Sequence, residues 1–190
     1  MTALPKANDR ASRTHLGMLA FLTSDTVIFL LLLVSNVYLR RSEGHASQNL
    51  LSPGRVLVPS VLLWASSGVL LLAERQRQRG DRAGAGTLYL VTALLGAVFA
   101  LAQGLEWRTL MAEGGTVSAS LFFSTFYTAT GLHGLHVLLG LPVLLALAVL
   151  SWTGRLGRRA PGAAAAALYW HFVDAVWVVL YLVFYVWRGP

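Results

Sequence analysis

Five long apolar blocks divide this chain, at about 16–38, 56–73, 86–106, 120–152 and 163–187, with short arginine-bearing connections between them. A bilayer has a hydrocarbon core about 30 Å thick, which a helix of about 20 residues crosses. Lipid offers no partner to backbone N–H and C=O groups, so only helices and closed barrels span it. These runs exceed the roughly 9–11 residues of a barrel strand. The chain therefore reads as all-α: a polytopic bundle of five transmembrane helices forming one membrane domain over 1–190, with residues 1–15 as a polar leading segment. The connections near 40–55, 74–85, 107–119 and 153–162 leave no room for a second folded domain.

Composition agrees with that reading, since 56% of residues are hydrophobic, only 12% are charged and the mean hydropathy is +0.62. The formal charge of +7 does not point to nucleic acid, because the arginines sit in the connections, as in "ERQRQRGDR" at 74–82. Basic residues favour the cytoplasmic side of a membrane protein. With the N-terminus inside, the inner segments hold Lys6, Arg10, Arg13, Arg75, Arg77, Arg79, Arg82, Arg155, Arg158 and Arg159, and the outer ones hold Arg40, Arg41, Arg55, Arg108 and Arg188. Ten against five favours N-terminus inside and C-terminus outside. The inner residues also favour anionic headgroups, at about 1 kcal/mol each near the surface. Cysteine is absent, which excludes disulfides, iron–sulfur clusters and thiolate-bound metals. No small-residue cleavage site follows the first block, so that block is expected to stay as a helix. "SPGR" at 52–55 and "RAPG" at 159–162 supply turn chemistry ahead of two helices. No internal repeat emerges, which weighs against an inverted-repeat transporter.

Polar groups at membrane depth are costly, and they mark functional or structural contacts. Asp25 lies about 14 Å along the first helix and Asp174 about 16 Å along the fifth, at 1.5 Å per residue. His133 and His136 lie at comparable depth in the fourth, about 60° apart around its axis, and read as one polar stripe. Gly131, Gly134 and Gly140 beside them allow a neighbouring helix to approach closely. Three roles compete for these histidines. Haem ligation needs a histidine at matching depth on a facing helix, and His171 is the remaining candidate. Metal ligation needs a third ligand that the local sequence lacks. The third role is hydrogen bonding across helices, which holds the bundle together. For Asp25 an interhelical hydrogen bond competes with a proton-exchanging or lipid-headgroup role. On the fifth helix Trp170, Asp174, Trp177 and Tyr181 recur at helical spacing and form one aromatic face with a carboxylate in it. Glu106 sits at the outer end of the third helix beside Trp107, within reach of interfacial water.

"STFYTATGLHGLHVLLG" at 124–140 and "YWHFVDAVWVVLYLVFYVW" at 169–187 closely resemble the two signature segments of subunit III of haem–copper terminal oxidases, in order, spacing and helical context. "HLGMLAFLTSDTVIFLLLLVSNVYLR" at 15–40 and "QGLEW" at 103–107 resemble two further segments of that family, and the second helix resembles it only weakly. The chain is similar to the bacterial five-helix form rather than the seven-helix one. The resemblance implies a non-redox subunit of a cytochrome c or quinol oxidase in the bacterial cell membrane. It would pack on subunit I, with subunit II and in some complexes subunit IV as further partners. Haem and copper would reside in partner subunits, with none bound here. Phospholipid binding, integrity of proton uptake and lasting turnover are the roles implied. No catalytic or metal residue carries over; His133, His136, Glu106, His171, Asp174 and Trp170 carry over as structural or subunit-contact positions. Asp25 departs from the family, which has glutamate after the serine at this point, and the shorter side chain loses about 1.3–1.5 Å of reach. Proteins like subunit III also accompany nitric oxide reductases, so an accessory role there is the alternative expectation.

Overall fold

The computed structural model describes the backbone of residues 7–43 and 50–187, and side chains from 12 to 39 and from 50 to 187. Lys6, Arg10, Arg40, Arg41 and Arg188, which enter the orientation argument, lie outside the described side chains. The five expected helices are present: α1 Ala7–Glu43, α2 Pro53–Arg79, α3 Arg82–Ala112, α4 Leu121–Trp152 and α5 Pro161–Tyr181. All five are long and apolar enough to cross a membrane. No strand occurs among the described residues. Most helices run beyond the apolar blocks, because a helix does not stop where hydrocarbon stops; it stops where caps and turns end it. Its last turn after α5 changes character, with a π-helical stretch at Leu182–Val186.

Local chemistry explains the boundaries. Pro53 and Pro161 open α2 and α5, where a missing N–H costs nothing and the fixed φ suits a helix. Asp81 and Ser120 cap α3 and α4 by accepting from the amides of Gly84 at 2.9 Å and Phe123 at 3.2 Å. Gly80 closes α2 at φ 89°, a left-handed conformation, and its amide donates to Arg77 O at 3.0 Å. Pro59 and Pro142 lie inside α2 and α4, and both helices continue through them.

The bundle is not packed in simple chain order. α2 and α3 lie side by side, as do α3 and α4, while α1 packs on α4 and α5. α5 also packs against α2 and α4, so α4 and α5 form the centre. The indole of Trp170 occupies the middle of that centre and is buried. A Cβ at Gly96 on α3 would lie 2.5 Å from its Cη2, and one at Gly140 on α4 would lie 2.7 Å from its Cζ3. Two helix backbones thus close on one indole because glycine leaves the space. By contrast α1 shows Leu30, Leu31, Val34 and Tyr38 outward, an apolar face suited to lipid or to another membrane protein.

Gly140→Ala is expected to destabilise the bundle by about 1–3 kcal/mol through overpacking against Trp170. Gly104→Ala, where nothing lies within 4 Å of the added carbon, serves as the control and leaves the thermal midpoint in detergent unchanged or raised.

Candidate functional site

The side chains singled out at membrane depth are buried except His171, which is half-buried, and the structure distributes them among three seams rather than one centre. In the α1–α4 seam, Asp25 is the midpoint of α1 and faces His136, with Oδ2 3.2 Å from Nε2. Both are almost fully enclosed, at 5% and 7% exposure. Their neighbours Ser24 and Thr26 turn inward on their own helix and donate to Ala20 O and Leu22 O. His136 Nδ1 sits 2.8 Å from Leu132 O one turn back, and Tyr169 of α5 donates its hydroxyl to His136 O at 2.9 Å. The aspartate, though shorter than the glutamate of the resemblance, still reaches its partner helix. Eleven residues further along α1, Asn36 donates to Thr125 Oγ1 at 2.6 Å and extends the same seam.

The α2–α5 seam carries the tryptophans. Trp170 Nε1 donates to Ser66 Oγ and Trp177 Nε1 to Ser60 Oγ, each at 2.9 Å, and both serines and both indoles are buried. As the tryptophan number rises the serine number falls, as antiparallel helices require. Between them, His171 Nδ1 lies 3.1 Å from Ser67 Oγ, and the same hydroxyl faces Asp174. Tyr181 reaches Pro53 O at 3.4 Å and completes the face. Serines in α2 carry no sequence signature, because a hydroxyl within an apolar helix usually bonds back to its own carbonyls. Ser60 does so as well, donating to Val56 O while accepting from Trp177.

His133 departs from the single-stripe expectation. It is fully buried and stacks on Trp177 with ring centroids 5.0 Å apart, while Phe99 of α3 meets it edge-on at 5.8 Å. Neither ring nitrogen has a hydrogen-bond partner. The 60° between the two histidines is enough to send His136 towards α1 and His133 towards α3 and α5. His171, the third histidine considered for haem, is engaged with Ser67 on another face. No three histidine, aspartate or glutamate side chains converge on a metal-sized site among the described residues.

Polar clamps close the two ends. At the end that carries the α1–α2 and α3–α4 connections Arg55 makes a bidentate pair with Glu113 at 3.0 and 3.2 Å, donates to Leu50 O at 2.7 Å and approaches Glu106 at 3.6 Å. Glu106 is thus buried against a counter-charge from α2 rather than bathed in interfacial water. At the opposite end, which carries the α2–α3 and α4–α5 connections, Arg77 pairs with Glu74 at 2.5 Å and donates to Gly157 O and Arg158 O at 3.0 and 2.6 Å. Tyr89 donates to the same Glu74, tying α2, α3 and the α4–α5 connection together. Glu74–Arg77 is an i,i+3 pair on one helix, but the Arg55 pairs with Glu113 and Glu106 and the reach of Arg77 to the α4–α5 connection join residues far apart in sequence, so charge spacing along the chain does not reveal them.

Fold and seams define a multi-pass helical membrane protein whose intramembrane polar groups mainly bond helix to helix. Comparison with known proteins adds the lineage. The family described as cytochrome c oxidase subunit III matches residues 10–189. The cytochrome c oxidase subunit 3 of Synechocystis is 38% identical over 180 residues, covering 89% of this chain and 73% of that one. The cytochrome bo(3) ubiquinol oxidase subunit 3 of Pseudomonas aeruginosa is 33% identical over 182 residues, covering 94% and 87%. The probable cytochrome c oxidase subunit 3 of Mycobacterium tuberculosis is 40% identical over 130 residues, covering 66% of this chain and 63% of its own length. This chain belongs to the cytochrome c oxidase subunit III family. The relatives' names favour an oxidase subunit over an accessory protein of a nitric oxide reductase.

Ser66→Ala is expected to strand the buried indole N–H of Trp170 and to cost about 1–3 kcal/mol. A lowered thermal midpoint, without a change in helical circular dichroism at low temperature, is the measurement that checks it.

Proposed function

We propose that this chain is the non-redox subunit III of a haem–copper terminal oxidase in a bacterial cell membrane. The complex reduces oxygen to water with electrons from cytochrome c or a quinol and couples this to proton translocation. The chain packs on subunit I, with subunit II and in some complexes subunit IV nearby, and the haems and copper reside in those partners. Its own contribution is support: it covers a face of subunit I, retains phospholipid there and maintains the proton-uptake route. The observation that carries the reading is the pair of helices α4 and α5, whose family-marking residues are the buried centre of the bundle. His136, His171, Trp170 and Trp177 contact other helices of the same chain. Such a design suits a scaffold better than a redox carrier.

The exposed apolar face of α1 is consistent with a membrane-embedded partner or annular lipid. The two oxidase relatives differ in the donor that their names state, cytochrome c in one and ubiquinol in the other. The donor surface is accordingly assigned to other subunits. The orientation places the N-terminus and the connections around Arg79 and Arg159 inside, and the connection around Ser118 outside, following the basic-residue bias.

An optical spectrum of the chain after removal of subunit I is expected to show no haem absorbance, and haem retained by the isolated chain overturns the support role. Because cysteine is absent, single substitutions report topology cleanly. Ser118→Cys is expected to react with an impermeant maleimide on intact cells, and Arg159→Cys only after lysis.

A further inference from the structure

We infer that the groove between α3 and α4 holds one acyl chain of a bilayer lipid, whose ester carbonyl accepts hydrogen bonds from Gln103 and Trp107. The groove measures about 600 Å³ and is lined mostly by apolar groups, among them Ala97, Ala100, Gly131 and Leu138. Gly104 of α3 and Gly134 of α4 also line it, and a Cβ on either would meet nothing within 4 Å. They differ in this from Gly96 and Gly140, whose missing side chains admit Trp170. The space at Gly104 and Gly134 is filled by no described residue of this chain, and small residues at such a place let an apolar chain lie close to both helix backbones.

Two polar side chains in the wall turn this groove into a site. Gln103 is 5% exposed, and neither atom of its amide has a hydrogen-bond partner. The indole Nε1 of Trp107 is buried and unpartnered as well, although Tyr127 meets the ring edge-on with centroids 5.4 Å apart. Buried polar groups are normally bonded, so each of these orphans asks for a partner. Thr130, the third polar residue of the lining, donates to Phe126 O at 2.7 Å and is satisfied. The Tyr185 hydroxyl lies beside Gln103 and is also unpartnered. Donated to Gln103 Oε1, it satisfies that acceptor and leaves only N–H groups, Gln103 Nε2 and Trp107 Nε1. Their complement is an acceptor, and it is uncharged, since no charged side chain lines the groove. A carbonyl on an apolar chain has that chemistry.

Position selects the lipid ester. α3 has 31 residues, so it is about 46 Å long and, centred on a hydrocarbon core of about 30 Å, extends about 8 Å past it at each end. Trp107, five residues before the last residue Ala112, then lies at the hydrocarbon boundary, and Gln103 lies one turn deeper. The ester carbonyls of a leaflet lie at this boundary, with their chains running inward. The groove runs the same way and stops at Ala97, the middle of α3. It spans one leaflet, as an acyl chain does, whereas a partner helix needs a seam through both. Lipid is also the solvent here, so mass action fills even a weak site. The inference sharpens the lipid-retaining role proposed above. An empty groove leaves that role standing, and haem on the isolated chain overturns the role without bearing on the groove.

The test uses the chain purified with the subunits that accompany it, 15N-labelled at the tryptophan indoles, in bilayers of phosphatidylcholine 13C-labelled at the ester carbonyls. Solid-state NMR is expected to show an indole–carbonyl contact that Trp107→Phe removes. Native mass spectrometry after detergent washing is expected to show phosphatidylcholine retained about three- to tenfold less by Gln103→Leu than by wild type. Dialkyl ether phosphatidylcholine, which has no carbonyl, is expected to be retained by wild type as poorly. Gln103→Leu also removes a buried polar group without a partner, so the thermal midpoint is expected to hold or rise while retention falls; a fall in both overturns the inference in favour of a purely structural glutamine. Equal retention of ester and ether lipid overturns it, as does an indole contact indifferent to Trp107→Phe, or a quinone in place of lipid in the washed complex.

Discussion

A polar side chain inside a hydrocarbon layer has only other protein groups to bond to, and the organisation of this bundle follows from that restriction. Asp25, Asn36, Ser60, Ser66, His136 and Trp177 are all buried in helices that cross the membrane, and each meets a partner on another helix. These contacts determine which helices adjoin. α1 is drawn to α4 by Asp25–His136 and Asn36–Thr125, and α2 to α5 by the serine–tryptophan pairs. Apolar side chains alone do not specify such a choice, since a leucine face is as well solvated by lipid tails as by another helix.

Shape then completes what polarity begins. The Trp170 indole fits between α3 and α4 because Gly96 and Gly140 remove the side chains that would block it. Its one polar atom is carried to Ser66 on α2. A single residue thereby registers four helices, which accounts for the central place of α5. The ends of the bundle are held by a different force. There the arginine–carboxylate pairs of Arg55 and Arg77 work where water and low dielectric meet, and each arginine also satisfies backbone carbonyls in a connection.

Much of this was legible in the chain before any coordinates. The number of spans follows from block length against bilayer thickness, and the turn chemistry at 52–55 and 159–162 marks the breaks before α2 and α5, although both helices begin at the prolines themselves rather than near 56 and 163. The depth of Asp25 and the helical periodicity of Trp170, Asp174, Trp177 and Tyr181 are also properties of position along one helix. What escaped was every question of partnership. His133 and His136 read as one stripe, yet one stacks on Trp177 and the other faces Asp25. Glu106 read as a solvated interfacial acid, yet Arg55 from α2 lies against it.

The division has a physical origin. A sequence sets the quantities that depend on one helix at a time: its length, its hydropathy, its caps, and the angle and depth at which each side chain leaves it. These were sufficient for five spans, and the motifs at 124–140 and 169–187 were sufficient for the family. Only the tertiary structure decided which helix lies across from each polar group, because that depends on how all five helices pack simultaneously. A change of 60° around α4 separates an imidazole facing a buried acid from one enclosed by aromatic rings, and neighbouring helices, not local spacing, give those two directions different chemistry.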